Sequence, residues 1–245
     1  MDSGYYAALT GLVARTQSLD AEAANLANAQ TSGYRAERAY FRSVLLAPGA
    51  EESQLGRAVN GFGLLGGDRL SSAQGPLQHT GNPLDLGIEG KGFFAVQTAK
   101  GVRYTRDGSF HRSQTGVLVT AANDPVLSDA KKAIVIPPGQ VAVGADGALS
   151  LNGAVAAAIG LFEFPEGTQL KAEGANRYVA PEDANVSRSG NSVIHQGELE
   201  GANQDVIQGS LDLLMMQRQA EMMQKALTMF HTEFNKSASE DLPKV

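Results

Sequence analysis

Apolar residues recur near the N-terminus with a heptad rhythm. Tyr5, Leu9, Leu12, Thr16, Leu19, Ala23 and Leu26 are spaced 4, 3, 4, 3, 4 and 3 residues apart. That is the a/d seam of a helix that packs on another helix, with one polar interruption at Thr16. Arg15, Gln17, Asp20 and Glu22 fall off the seam. Thr31-Ser32-Gly33 is the expected stop, because glycine takes the left-handed conformation that closes a helix. The last segment repeats the rhythm. Val206, Gly209, Leu213, Met216, Ala220, Met223, Leu227, Phe230 and Phe234 are spaced 3, 4, 3, 4, 3, 4, 3 and 4. Glu221 and Lys225 sit at i, i+4 in the order that favours a surface pair. Beyond Lys236 the tail reads as frayed.

Both seams are narrow, which suits helix-on-helix packing better than docking on a broad core. Each well-buried Leu or Phe on such a seam contributes roughly 1.5–3 kcal/mol. A lone helix cannot collect that energy. Two arrangements stay open: the terminal helices pair with each other, or with those of neighbouring chains.

The middle has strand patterning. Phe93-Phe94-Ala95-Val96 and Val102-Arg103-Tyr104-Thr105 flank a Lys100-Gly101 turn, and Asp107-Gly108 leads into Ser109–Arg112. Val117–Thr120, Ala133–Ile136, Val141–Val143, Ala148–Leu151 and the run Ala154–Phe164 follow, punctuated by Asp146-Gly147 and Asn152-Gly153. Asp-Gly and Asn-Gly are strong hairpin signals. Many short strands with close turns predict an antiparallel barrel or sandwich. The fold class is therefore α+β, with N- and C-terminal helices forming a coiled-coil-like pair around a central antiparallel β domain. The expected divisions are an N-terminal helix over 1–40, a connecting segment over 41–80, the β domain over 81–200 and a C-terminal helix over 201–245.

Composition narrows the chemistry. The formal net charge of −6 argues against a nucleic-acid partner, which needs a basic face. There is no cysteine, so disulfides, thiolate metal sites and a cysteine nucleophile are excluded. Met1-Asp2-Ser3-Gly4-Tyr5 lacks a basic region followed by a long apolar one, so no secretory signal is expected. No stretch of about 18 apolar residues exists to span a bilayer.

The search for a catalytic or binding motif is negative. His79, His111, His195 and His231 lack ligand spacing, and no metal or cofactor is expected. Gly87-Ile88-Glu89-Gly90-Lys91-Gly92 is a poor phosphate loop. Asp85 stands where the first glycine belongs, Gly92 follows the lysine, and a strand follows instead of a helix. It reads as a glycine turn entering a strand. There is no Gly-x-Ser-x-Gly elbow. Met215, Met216, Met222, Met223 and Met229 cluster on the last helix and read as core or interface filler. An alternative of another class, a β-domain carbohydrate-active enzyme or adhesin flanked by helices, would require a cleft with two close carboxylates.

Four strings carry a resemblance. Ala24-Asn25-Leu26-Ala27-Asn28-Ala29-Gln30-Thr31-Ser32-Gly33-Tyr34-Arg35 resembles the N-terminal signature of the flagellar rod and hook proteins, with Ala24, Tyr34 and Arg35 as mild departures. Gly75-Pro76-Leu77 with Thr80–Phe94 resembles the family's central motif, and Tyr104–Phe110 the next one. Gln196–Asn203 resembles the approach to its C-terminal helix. The Met-Asp start and short length resemble the proximal-rod member more than the distal-rod member. Phe41–Gly61 is where such relatives are expected to diverge.

The resemblance implies a structural subunit that assembles with other flagellar rod subunits. It implies export unfolded by the flagellar type III apparatus without a cleaved signal, and residence in the rod that spans the periplasm. It also implies a torque-bearing role, with the β domain outward and no small-molecule substrate. The expected assembly interface is the pair of seams, at Leu9, Leu12, Leu19, Leu26, Leu213, Met216, Met223, Leu227 and Phe230. Within the signature, Asn25, Leu26, Asn28, Thr31, Gly33 and Tyr34 are the residues of interest. Leu26 is expected on the seam and Gly33 at the helix stop. Asn25 and Asn28 are expected to satisfy exposed backbone groups or a neighbour's helix.

Overall fold

The computed structural model describes residues 2–42 and 64–240. Its elements in chain order are α1 (Asp2–Ala27), β1 (Glu37–Arg42), β2 (Leu64–Leu70), β3 (Leu77–His79), β4 (Leu86–Glu89), β5 (Phe93–Thr98), β6 (Gly101–Thr105), β7 (His111–Arg112), β8 (Leu118–Val119), β9 (Val141–Val143), β10 (Ala148–Leu151), β11 (Ala154–Ala158), β12 (Leu161–Glu163), β13 (Lys171–Gly174), β14 (Arg177–Val179), β15 (Ser187–Arg188), β16 (Val193–Gln196), β17 (Glu198–Glu200) and α2 (Val206–Glu240). They fall into two compact units. One contains α1, the β1–β2 pair and α2. The other holds Ala27–Ala36 and Leu70–Asp205. Most of the Phe41–Gly61 stretch lies outside the described residues, as do Asp241–Val245. Residues 237–240, read as frayed tail, are the last turn of α2. No glycine or proline interrupts them before Pro243.

The sheets do not close into a barrel. The largest has six strands in the order β13-β14-β6-β5-β12-β15, and β9, β10 and β11 form a separate three-stranded sheet. Closure demands continuous pairing with a fixed stagger. Here the six-stranded sheet ends in open edges at β13 and β15, and most remaining strands pair two by two. The β5–β6 hairpin turns where the Lys100-Gly101 dipeptide predicts it, pairing Thr98 with Gly101 and Phe94 with Thr105. Asn152 and Gly153 both take positive φ, 51° and 88°, and join β10 to β11 as the Asn-Gly signal requires. Ala133–Ile136 makes isolated bridges instead of a continuous strand, although Ile134 and Ile136 are buried.

Strand alternation builds the core on both faces of β5. Phe94 and Val96 point into a cluster with Leu86, Ile88, Phe110, Leu118 and Ile136. Ala95 points the other way, toward Tyr104, Leu127 and Phe162, with Phe93 packed alongside. Edge-to-face ring pairs hold both sides, Phe94 with Phe110 at 5.0 Å and Tyr104 with Phe164 at 4.8 Å. Such pairs add about 0.5–1.5 kcal/mol beyond their buried area.

Candidate functional site

The signature segment that follows α1 is folded into the β unit. α1 ends at Ala27 and the chain turns over Asn28–Gly33. The Thr31 amide donates to the Asn28 carbonyl at 2.9 Å, and the Thr31 hydroxyl reaches Asn28 Oδ1 at 3.4 Å. Gly33 has φ +69°, the left-handed conformation expected of it, but it lies six residues past the last helical residue. Packing also demands a glycine here: a Cβ there would sit 2.2 Å from the Asp107 nitrogen. Gly33 N–H then donates to the Glu200 carbonyl at 2.7 Å. Two residues on, the Arg35 amide donates to the Tyr178 hydroxyl at 3.1 Å and the Ala36 amide to Asn203 Oδ1 at 2.7 Å. Asn203 N–H returns a bond to the Tyr34 carbonyl at 3.3 Å.

A charged triad lies under this segment. Arg35 Nη2 is 3.1 Å from Glu200 Oε1, and Arg106 Nη1 is 2.8 Å from Glu200 Oε2. The three side chains are 4%, 1% and 1% exposed. Glu200 Oε1 also accepts the Gly75 amide at 3.0 Å. A Cβ on Gly75 would fall 2.0 Å from the Gly201 carbonyl oxygen, so the chain closes on this carboxylate only because position 75 has no side chain. Arg106 Nη2 donates to the Gly90 carbonyl at 2.5 Å, and the guanidinium stacks 4.9 Å above the Phe93 ring. Arg35 Nη1 donates to the Ala73 carbonyl, which also accepts Asn203 Nδ2 at 2.8 Å. The Nε atoms of Arg35 and Arg106 have no partner among the described residues. Burial pulls the Arg106 guanidinium down to about 10, the Glu200 carboxylate opposes this, and the neighbouring Arg35 charge adds to it. It therefore remains charged at neutral pH, and the triad carries one excess positive charge.

The four strings of the resemblance meet here. Arg35 comes from the first, Gly75 and Gly90 from the second, Arg106 from the third, Glu200 and Asn203 from the fourth. Sequence reading picked the strings and missed the triad. Three of the strings supply one charged member each and the second supplies backbone groups, but no spacing rule links positions 35, 106 and 200.

The seam residues lie in the helix unit. On α1, Leu12, Leu19 and Leu26 are half-buried and Leu9 is exposed, while Gly11, Ala14, Ser18 and Asn25 are the fully buried positions. The small residues sit deepest, one position to the side of the leucines. Asn25 Nδ2 donates to the Glu37 carbonyl at 2.8 Å and Oδ1 accepts the Glu37 amide at 2.9 Å. Its amide group thus completes the hydrogen bonding of the first residue of β1. On α2, Leu213, Met216, Met223 and Leu227 are half-buried, and the Phe230 side chain lies outside the described set. On another face of α2, Ile207, Leu211, Leu214, Met222 and Met229 are exposed, interrupted by Arg218 and Lys225.

Among the described residues no group of three or more His, Cys, Asp or Glu side chains is placed to hold a metal. His195 lies between two carboxylates, with Nε2 2.8 Å from Glu89 and Nδ1 4.0 Å from Glu198. The Asp107 carboxyl is raised by burial, and its Oδ1 accepts the Ser109 amide and hydroxyl at 3.0 and 2.7 Å, which fixes a turn. These side chains build a scaffold whose polar investment goes into one buried junction, as in a structural subunit.

Comparison with known proteins agrees. Residues 87–151 match the family described as the flagellar hook protein FlgE/F/G D1 domain. Over the full length of both chains the protein is 34% identical to the flagellar basal-body rod protein FlgF of Caulobacter vibrioides. It is 35% identical to FlgF of Rhizobium meliloti over 89% of each chain. FlgG of Buchnera aphidicola subsp. Schizaphis graminum follows at 30%, covering 89% of this chain and 92% of the relative. The chain belongs to the FlgF/FlgG family of flagellar basal-body rod proteins.

Proposed function

We propose that the chain polymerises through its terminal helices into the axial rod and carries torque along it. It is a structural subunit of the basal body and not an enzyme. The observation that carries the polymerisation reading is the set of exposed apolar side chains on α2. Ile207 is 74% exposed, Met229 63% and Met222 62%, on a helix whose seam is already half-covered. Apolar side chains in that number, even broken by Arg218 and Lys225, stay wet in a solitary molecule and are covered by helices of neighbouring rod subunits. The inner seams, Leu12, Leu19 and Leu26 on α1 with Leu213, Met216, Met223 and Leu227 on α2, form a coiled-coil-like pair in the assembled core. The β domain, 81–200 in this reading, faces outward. A repeated contact of this kind with a screw displacement gives an open filament. Export proceeds through the flagellar type III apparatus without a cleaved signal, and the rod needs no small-molecule substrate, cofactor or nucleic acid. The enzyme or adhesin alternative has no observation in its favour, since the relatives are rod proteins.

Met222→Asp and Leu213→Asp test this in a strain lacking the native gene. Met222→Asp is expected to leave the purified subunit's melting unchanged and to abolish rods and swimming. Leu213→Asp is expected to abolish rods while the β unit stays folded. Normal rods in both variants would refute assembly through the helices.

A further inference from the structure

We infer that Arg35 is a positioning residue: a surplus cation that docks the segment 27–36 onto an ion pair already complete without it. The inference deepens the rod reading, and only its consequence for rods rests on that reading.

The charge count is the first argument. Arg106 and Glu200 neutralise each other at 2.8 Å, and Arg106 is further held by the Gly90 carbonyl and the Phe93 ring. Those partners all belong to the β unit proper. Arg35 arrives from a ten-residue segment whose chain neighbours on either side belong to the helix unit. It brings a second buried positive charge to a single carboxylate, and both guanidinium Nε atoms lack partners among the described residues. Taking a further charge out of water is a poor route to stability, since desolvation offsets most of the attraction. The side chain's geometry is better explained by placement. Its fork spans Glu200 Oε1 on one side and the Ala73 carbonyl on the other, so it sets depth and register together.

The backbone around it is arranged to be placed. Gly33, Arg35 and Ala36 all donate their amides into the β unit, to the Glu200 carbonyl, the Tyr178 hydroxyl and Asn203 Oδ1. The Ser71 amide donates to the Ala36 carbonyl at 2.8 Å, and Asn203 N–H to the Tyr34 carbonyl. Asn203 lies three residues before α2 and Gly33 six after α1. Arg35 therefore pins the two places where the chain leaves the β unit for its terminal helices, and pins them to each other.

Hydrogen exchange on the full-length chain separates placement from stability. In Arg35→Met, the amides of Gly33 and Ala36 are expected to exchange at least about tenfold faster, as a locally released segment does. The melting temperature should fall only by the few degrees that such a change implies, and Phe94, Val96 and Tyr104 should stay far better protected than Gly33 and Ala36. Arg35→Lys, which keeps the charge and loses the fork, should give an intermediate acceleration. Arg106→Met should instead accelerate Phe94 and Val96 as well. Unchanged Gly33 and Ala36 amides in Arg35→Met would overturn the inference. So would protection at Phe94, Val96 and Tyr104 falling to the level of Gly33 and Ala36, or a chain that fails to fold, because either makes Arg35 a general stabiliser. If the segment is released and rods still form normally, the docking stands and its role in assembly falls.

Discussion

Glu200→Gln is the sharpest test of the triad's energetics. The substitution keeps the shape of the side chain and removes its charge. The glutamine oxygen can still accept the Gly75 amide or one guanidinium, but its NH2 then faces a second guanidinium, donor against donor. Two arginines, 4% and 1% exposed, are left without a counter-ion. Removing one partner of a buried ion pair costs about 3–5 kcal/mol. Each kcal/mol lowers the melting temperature of a domain of this size by about 2–4 °C, so the fall should be roughly 6–20 °C. The chain has no tryptophan. The assay is therefore near-ultraviolet circular dichroism on heating, reporting the buried rings of Tyr104 and Tyr178. A loss below about 1 kcal/mol, the level of an exposed ion pair, would refute the claim that this carboxylate neutralises the interior.

Three further outcomes are expected. The Arg103 fork on Glu173, at 2.5 and 3.3 Å, pulls that carboxyl down to about 2, helped by Lys100. Because the folded value is depressed, this pair's contribution is complete above pH 4.5 and is lost as pH falls from there toward about 2. A carboxyl NMR titration should find that midpoint, and Arg103→Leu should return it toward 4.5; an unmoved midpoint would exclude the fork as its cause. Gly33→Ala would combine a left-handed residue, about 1–2 kcal/mol, with a methyl 2.2 Å from the Asp107 nitrogen. Denaturant unfolding should show more than about 2 kcal/mol lost, and near-wild-type stability would contradict the packing described. Asn25→Leu leaves the Glu37 N–H and C=O without their side-chain partner. It should cost about 1–3 kcal/mol and speed exchange of the Glu37 amide, whereas an unchanged amide would mean the pair of bonds is dispensable.

The legible features were those governed by neighbours a few residues apart. The heptad spacing of α2 from Gly209 to Leu227 coincides with its half-buried stripe, because helical period and side-chain direction are local properties. The Lys100-Gly101 and Asn152-Gly153 turns were legible because a positive φ selects residue type. The Ala175-Asn176 turn, with φ 50° and 53°, joins β13 to β14 and was missed, since alanine does not announce that conformation. On α1 the seam leucines Leu12, Leu19 and Leu26 are half-buried and Leu9 is exposed. The deepest positions nevertheless went to Ala14, Ser18 and Asn25, whose small or hydrogen-bonding side chains carry no hydropathy signal.

The sequence by itself determined two helix-forming ends, a turn-rich β middle, the absence of cysteine chemistry and the four strings that mark the family. Only the tertiary structure decided that the sheets stay open and that segment 27–36 belongs to the β unit. It alone brought Arg35 and Arg106 to within 3.1 Å of Glu200, the nearer of them 94 residues away along the chain. Local periodicity encodes which face of an element is apolar. Pairing between distant charged groups depends on how the whole chain closes, and a burial that turns a surface charge into a structural one exists only after that closure.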